Sequence, residues 1–372
     1  MTSPLSRPFG LALLLALLVA LVIATQRTRN TESDPLGTLL VSESLVERGT
    51  LKLDAYGADY LKTFGFRVHE KNGHFYNYFP LGTALLSTPA VAVAHAAGWR
   101  MTQDEAPLQL ILSTGAAWLI LYLLYKTARL YLGPRQSLLL AGLCWFGSSL
   151  ASTVGTGLWS HDFTFVFSSA ALYWAVRNPP WAMAWRALAI GSALFLAYLC
   201  RPTLALLAPC LLLYCFCCRD RRLALLAGTV LLAWLALFAG FSQLEYGQWL
   251  PDYYLPKRLE DGDFATALWG NLISPARGLL VYSPFLLVSL AGSLGRLGQG
   301  RDALGLGLLT LAWPLAHLVS ISHFPHWWAG WSYGARLMVD ALPGLFLGLF
   351  SLLGDLRCGR RPVWAAVAVG GL

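Results

Sequence analysis

Charge is scarce in this 372-residue chain: 12% of residues are Asp, Glu, Lys or Arg against 56% hydrophobic, and the mean hydropathy is +0.56. So little charge excludes a water-soluble globule, and so much apolar sequence excludes a disordered one. The 27 Lys and Arg exceed the 19 Asp and Glu, giving a formal net charge of +8. These cations lie between apolar blocks rather than on one solvated face, so no nucleic-acid partner is expected. A cysteine framework is also missing. Cys144, Cys200, Cys210, Cys215, Cys217 and Cys218 sit in or at the ends of apolar runs, Cys358 sits in a basic loop, and no spacing suits zinc or paired disulfides. The cluster at 215–218 reads as helix-end packing, with lipidation as the other option.

Long apolar runs dominate instead. The first, Phe9 to Thr25, is followed by charged sequence and not by a small-residue cleavage site, which predicts an uncleaved first helix. Further runs fall at 80–98, 108–125, 137–158, 163–176, 187–200, 203–218, 223–243, 278–294, 303–321, 337–353 and 362–372. The expected fold is an all-α polytopic transmembrane bundle of about eleven spans, forming one domain over 1–372. The last run stops at Leu372, short of the about twenty residues a span needs, as expected if the chain is a fragment.

Cations mark alternate gaps: Lys126, Arg129 and Arg135; Arg177 and Arg186; Arg219, Arg221 and Arg222; Arg296 and Arg301; Arg357, Arg360 and Arg361. The positive-inside rule assigns all five gaps to the cytoplasm. With a cytoplasmic N-terminus, the loop at 126–136 requires an even number of earlier crossings, yet three apolar runs precede it, so either the N-terminus is outside or one run does not cross. The run at 80–98, weakened by Pro80, Pro89 and His95, is therefore expected to lie along or dip into the outer interface. Residues 26–107 then form a long first extracytoplasmic loop with interfacial helices. The same side receives the turn at 159–162 and the segments 244–277 and 322–336. The runs on either side of Arg201-Pro202-Thr203 are short, and a bend is expected there.

Chemistry-bearing residues cluster on this outer side. Asp34, two residues after Glu32 and directly before Pro35, is the leading candidate for a general base, because a carboxylate is ionised at neutral pH without tuning. A cap before the next helix is the competing role. His161, Asp162 and Phe163 are expected to close the helix that begins near Ser137 and to emerge at the same face, and Asp162 suits either a binding site or a cap on the next helix. Arg336 begins a helix, where the dipole disfavours a cation unless an anion binds, and its planar fork suits phosphate. Arg201 is a cation between apolar runs, either functional or snorkelling. Trp327, Trp328, Trp331 and Tyr333 suit an interfacial belt. His323 and His326 offer either a metal pair or hydrogen-bonded structure. Tyr246, Trp249, Tyr253, Tyr254, Lys257, Arg258, Glu260, Asp261 and Asp263 mix stacking platforms with charge.

Five stretches, ESDPLGTLLVSESLVERG (32–49), NGHFYNYFPLGTALLSTP (72–89), WSHD (159–162), SPARGLLVYSP (274–284) and GWSYGAR (330–336), together resemble the GT-C superfamily of polytopic membrane glycosyltransferases. The likeness is to bacterial relatives of protein mannosyltransferases and of the lipid A aminoarabinose transferase. It implies a catalytic acid in the first outer loop, here Asp34 with Glu32 beside it. It further implies a lipid-linked sugar-phosphate donor; for a polyprenyl-phosphate sugar, Arg336 with Arg201 or Lys52 is expected to hold the phosphate, and His161, Asp162, Tyr76, Trp331 and Tyr333 to contact substrate. An extracytoplasmic hydroxyl acceptor, surrounding membrane lipid, a bacterial inner-membrane location and an outward-facing site complete the expectation. Cofactor need is open, a divalent metal being one option. A transporter, lipid flippase or polysaccharide-export component is the alternative, against which stand the lack of an internal repeat and the gathering of ionisable groups at one face.

Overall fold

The computed structural model describes residues 6–26, 29–259, 262–330 and 332–359. Trp331, Arg27, Glu260, Asp261, Arg360, Arg361 and the run 362–372 lie outside the described residues. The described chain is mostly helical, with almost no sheet. Helix α1 (Ser6–Thr25) is followed by α2 (Thr38–Arg48), the short α3 (Ala58–Lys62) and an antiparallel hairpin of β1 (Val68–Lys71) and β2 (His74–Asn77). The hairpin turns at Asn72 and Gly73, both at positive φ, which matches the right-handed strand twist. Helices α4 (Leu81–Ala96), α5 (Met101–Ala128), α6 (Pro134–Phe146), α7 (Leu150–Thr153), α8 (Ser160–Arg177), α9 (Met183–Cys200), α10 (Leu207–Cys218) and α11 (Arg221–Tyr246) follow. The chain continues through α12 (Phe264–Ile273), α13 (Leu279–Tyr282), α14 (Leu286–Gly295), α15 (Arg301–Ser322) and α16 (Leu342–Arg357).

Five of the described helical segments, rather than about eleven, are long and apolar enough to cross a membrane: α5, α9, α11, α15 and the stretch Arg336–Arg357 that ends in α16. Identifiable breaks shorten the others. The run 137–158 stops being helical after Phe146, and its last turn, α7, leads into a glycine-containing bend where Gly155, at φ 92°, lies against Ile23 of α1. No side chain fits there, because a Cβ on Gly155 would meet Ile23 at 2.5 Å. The run 278–294 breaks at Ser283 and Pro284 into α13 and α14, and the run 203–218 opens with a 3-10 turn, Pro202–Leu206, before α10. That turn follows an extended Arg201, because a residue before proline is driven out of the helical region.

The exterior is apolar. Leu13, Leu17 and Leu21 of α1 and Leu225, Leu232 and Leu237 of α11 are exposed, whereas Ser242 on α11 is fully buried. Such an inverted surface has a stable place in lipid rather than in water.

All the basic gaps that the structure describes gather at one end of the bundle. Arg219 donates to the Val176 carbonyl (3.2 Å), the Cys218 thiol meets the Arg301 carbonyl (3.5 Å), Arg296 pairs with Asp355, and Arg357 donates to Gln136 (3.5 Å). The opposite end is reached by α8, whose 18 residues span about 27 Å, and by α9 and α16. There the C-terminal end of α1 meets the bend after α7, with Gln26 donating to the Gly155 carbonyl and the Asn30 amide to Thr156. Both ends of α4 stay at that far end. The Leu81 amide donates to the Tyr254 hydroxyl, and His95 lies beside Glu43 and Glu47 of α2. Helix α4 therefore does not run between the two ends, although α1 and α5 on either side of it do.

Candidate active site

Asp34 sits in a succession of tight turns between α1 and α2, where Ser33, Leu36 and Thr38 amides donate to Asn30, Ser33 and Pro35 carbonyls. Its carboxylate opens onto a cleft lined by Pro35, Thr38, Phe79, Pro80, Thr83, Leu158, Trp159, Ser160, Arg201 and Tyr253. About 20 Å3 of this cleft is free for water, room for roughly one molecule. Asp34 is about one-third exposed, and Arg336, 302 residues later, donates from Nη2 to its Oδ2 at 3.4 Å. The Arg336 guanidinium lies over the Trp159 ring, 4.1 Å from its centroid. Its buried Nε donates to nothing among the described residues.

A second guanidinium lines the same cleft. Arg201, exposed only where α9 stops, pairs through Nε with Asp340 Oδ2 at 2.5 Å and reaches Ser160 Oγ and His161 Nε2 from Nη1 at 3.3 and 3.2 Å. Because a guanidinium only donates, His161 Nε2 is the acceptor, so the imidazole is neutral and its Nδ1–H donates to Asp340 Oδ1 at 2.7 Å. Asp340, fully buried, thus neutralises Arg201 and orients His161 at once. Near the cleft, Tyr254 accepts from the Leu81 amide and donates to the Leu199 carbonyl at 2.6 Å, joining α4 to the end of α9. Burial pushes its hydroxyl pKa up, so it stays protonated and keeps donating.

The expected site residues divide into two groups. Asp34, Arg336, Arg201 and His161 come together around Trp159 and Ser160. The other described ones do not reach the cleft. Asp162, fully buried, accepts from Ser113 at 2.6 Å between α5 and α8, and serves neither the cleft nor a cap. The Tyr76 hydroxyl meets Glu245, and its ring packs on Tyr246, fastening the hairpin to the end of α11. Tyr333 is exposed, stacks edge-on against Tyr282 and holds Ser152 by its carbonyl. Lys52 lies past the far end of α2, about 16 Å of helix from Thr38. The Glu32 side chain is exposed, and its carbonyl accepts from Arg67 at 2.9 Å. Trp331 lies outside the described residues.

Metal-ligand geometry occurs elsewhere. Among the described residues the one group of three potential ligands is Glu43, Glu47 and His95, which includes neither Asp34 nor Glu32. Glu43 is already engaged by the Met101 amide and the Tyr56 hydroxyl, and the Arg100 guanidinium lies against the His95 ring. His323 and His326 pack against Phe264 and Trp328.

Three residues at or behind the cleft were not singled out from sequence: Asp340, Glu105 and Gln109. Asp340 carried a signal, since it is a lone acid inside the apolar run 337–353, where an ionisable group has a functional default. Comparison with family models, with curated proteins and with solved structures finds no match to this chain.

Proposed function

We propose that the chain is an integral membrane glycosyltransferase that moves a sugar from a polyprenyl-phosphate donor to a hydroxyl of an acceptor outside the cytoplasm, with inversion at the anomeric carbon. The observation that carries this reading is the pairing of Asp34 with Arg336, which lies over Trp159: a base about one-third exposed and a phosphate-shaped cation meet at one cleft. The basic gaps at the far end of the bundle support a cytoplasmic position for that end and an outward-facing cleft. For a bacterial chain that means the inner membrane, with about eleven crossings only if shorter and broken helices also span.

In the resting pair each group occupies the other. A phosphodiester carries one negative charge and can take Asp34's place on Arg336, where the buried Nε offers a further donor. That exchange frees the carboxylate. Asp34 then takes the proton of the acceptor hydroxyl as its oxygen bonds to the anomeric carbon. The carbon–oxygen bond to the phosphate breaks, and the lipid phosphate leaves with the electron pair and a second negative charge. Arg336 and Arg201 offset that growing charge, the contribution that dominates many enzyme rates. Phosphate needs no acid to depart. The prenyl chain lies along the apolar exterior.

The test is transfer by the membrane-embedded protein from a panel of labelled polyprenyl-phosphate sugars to envelope acceptors. Asp34→Asn is expected to slow the step by about 10²–10⁴-fold, the contribution of a positioned base. Transfer persisting at the wild-type rate would exclude Asp34 from that role.

A further inference from the structure

One face of α5 is polar although it points into the protein. Glu105, Gln109 and Ser113, spaced four apart and so stacked on one face, are 5%, 0% and 0% exposed. Burying such groups is costly unless each is satisfied, and each is satisfied by backbone of the two segments that build the cleft. Glu105 accepts from the Gly37 amide through Oε2 and from the Leu39 amide through Oε1, both at 2.9 Å. Gln109 donates to the Thr31 and Pro35 carbonyls and accepts from the Leu158 amide, all at 3.3 Å. Ser113 accepts from the Gly155 amide at 2.7 Å.

Helix α2 lacks a cap of its own. Its N-cap is Gly37, at φ 85° and without a side chain to accept from the first turn, so Glu105 supplies both acceptors from another helix, at the positive end of the dipole. Asp34 lies between the anchored Thr31, Pro35 and Gly37, and Trp159, under Arg336, directly follows the anchored Leu158. We propose that Glu105 and Gln109 are positioning residues that fix Asp34 relative to Trp159 and Arg336, a role that rests on the transfer reading only for its catalytic consequence.

Two readouts separate this role from simple support of the fold. Glu105→Gln keeps the shape but turns one acceptor into an N–H facing an N–H. It is expected to lower kcat about tenfold or more with donor KM within about twofold, since small misplacements of reacting groups are expensive. The second readout needs no turnover. In a chain carrying Asp34→Cys with Cys217→Ser and Cys358→Ser, maleimide labelling of position 34 is expected to quicken about fivefold or more when Glu105→Gln is added, because one of the two bonds that tie the end of the loop to α5 through Glu105 is then lost. If Glu105→Gln does not yield folded protein, Gln109→Met serves in both arms, and thermal melting confirms that the variant is folded. A folded variant with unchanged labelling and unchanged kcat overturns the proposal, as does a rise in KM with no change in labelling. Faster labelling in a protein that transfers no sugar upholds the positioning role and sinks the transferase reading instead.

Discussion

At the scale of single residues, the site turns on how two guanidiniums are neutralised. Arg201 is committed to a fully buried carboxylate, Asp340, whereas the ion pair of Arg336 among the described residues is with Asp34, which is about one-third exposed and exchangeable. Asp340→Asn would leave Arg201 buried without a counter-charge and His161 without its anionic acceptor. Losing one partner of a buried pair costs about 3–5 kcal/mol, so a clear drop in melting temperature is expected in detergent, with transfer falling in the protein that remains folded. Arg336→Lys keeps the charge but loses the planar stack on Trp159 and the second donor. Donor KM is expected to rise about tenfold or more in the same transfer assay, because lysine is a point charge and not a fork. Asp34 and Arg336 were legible in the sequence because each had a local reason to stand out, one as an acid before proline in a polar loop, the other as a cation opening a helix. Glu105 and Gln109 were not, since a polar face on a helix becomes meaningful only when the backbone that it binds is known. Asp162 misled for the complementary reason: two ionisable neighbours at a helix start look alike in sequence, yet the helix turns His161 toward Arg201 and Asp162 toward Ser113.

At the scale of elements, α4 decides whether the cleft exists. The odd number of apolar runs before the basic loop at 126–136 left either an outside N-terminus or one run that does not cross, and α4 keeps both ends beside α2 and Tyr254. Its first turn presses on the end of α9 so closely that a Cβ on Gly82 would meet the Cys200 backbone nitrogen at 2.6 Å and the Leu199 carbonyl carbon at 2.7 Å. Gly82→Val should therefore push α4 away from α9, displacing Pro80 and Thr83 from the cleft wall. Overpacking of this kind costs about 1–3 kcal/mol, which a lowered melting temperature would register, and transfer should fall more steeply than stability because Arg201 directly follows Cys200. A variant that melted and transferred like the parent would show that the two helices can separate without consequence for the site. The breaks inside 137–158 and 278–294 were not legible, because hydropathy averages over a window, whereas the helices stop at single residues, Gly147 after α6 and Ser283 after α13.

At the scale of the whole molecule, sidedness is the claim with the most consequences. Positive charge alone predicted that five separated gaps share a compartment, and hydrogen bonds and ion pairs now join residues of those gaps or their flanks at one end, Val176 to Arg219, Cys218 to Arg301, Arg296 to Asp355 and Gln136 to Arg357. The proposed transfer to an acceptor outside the cytoplasm requires the other end to face away from the cytoplasm. Native residues already report on this. Cys217 and Cys358 are exposed and lie at the basic end, next to Arg219 and Arg357. Asp59, with a fully exposed side chain on α3, lies in the polar stretch between α1 and α4 at the cleft end. A membrane-impermeant maleimide applied to intact cells should therefore leave the native protein unlabelled and mark the Asp59→Cys protein, and lysing the cells should make Cys217 and Cys358 reactive. Labelling of the native cysteines from outside would turn the bundle over, put the Asp34 cleft in the cytoplasm and remove the case for an outward-facing transfer.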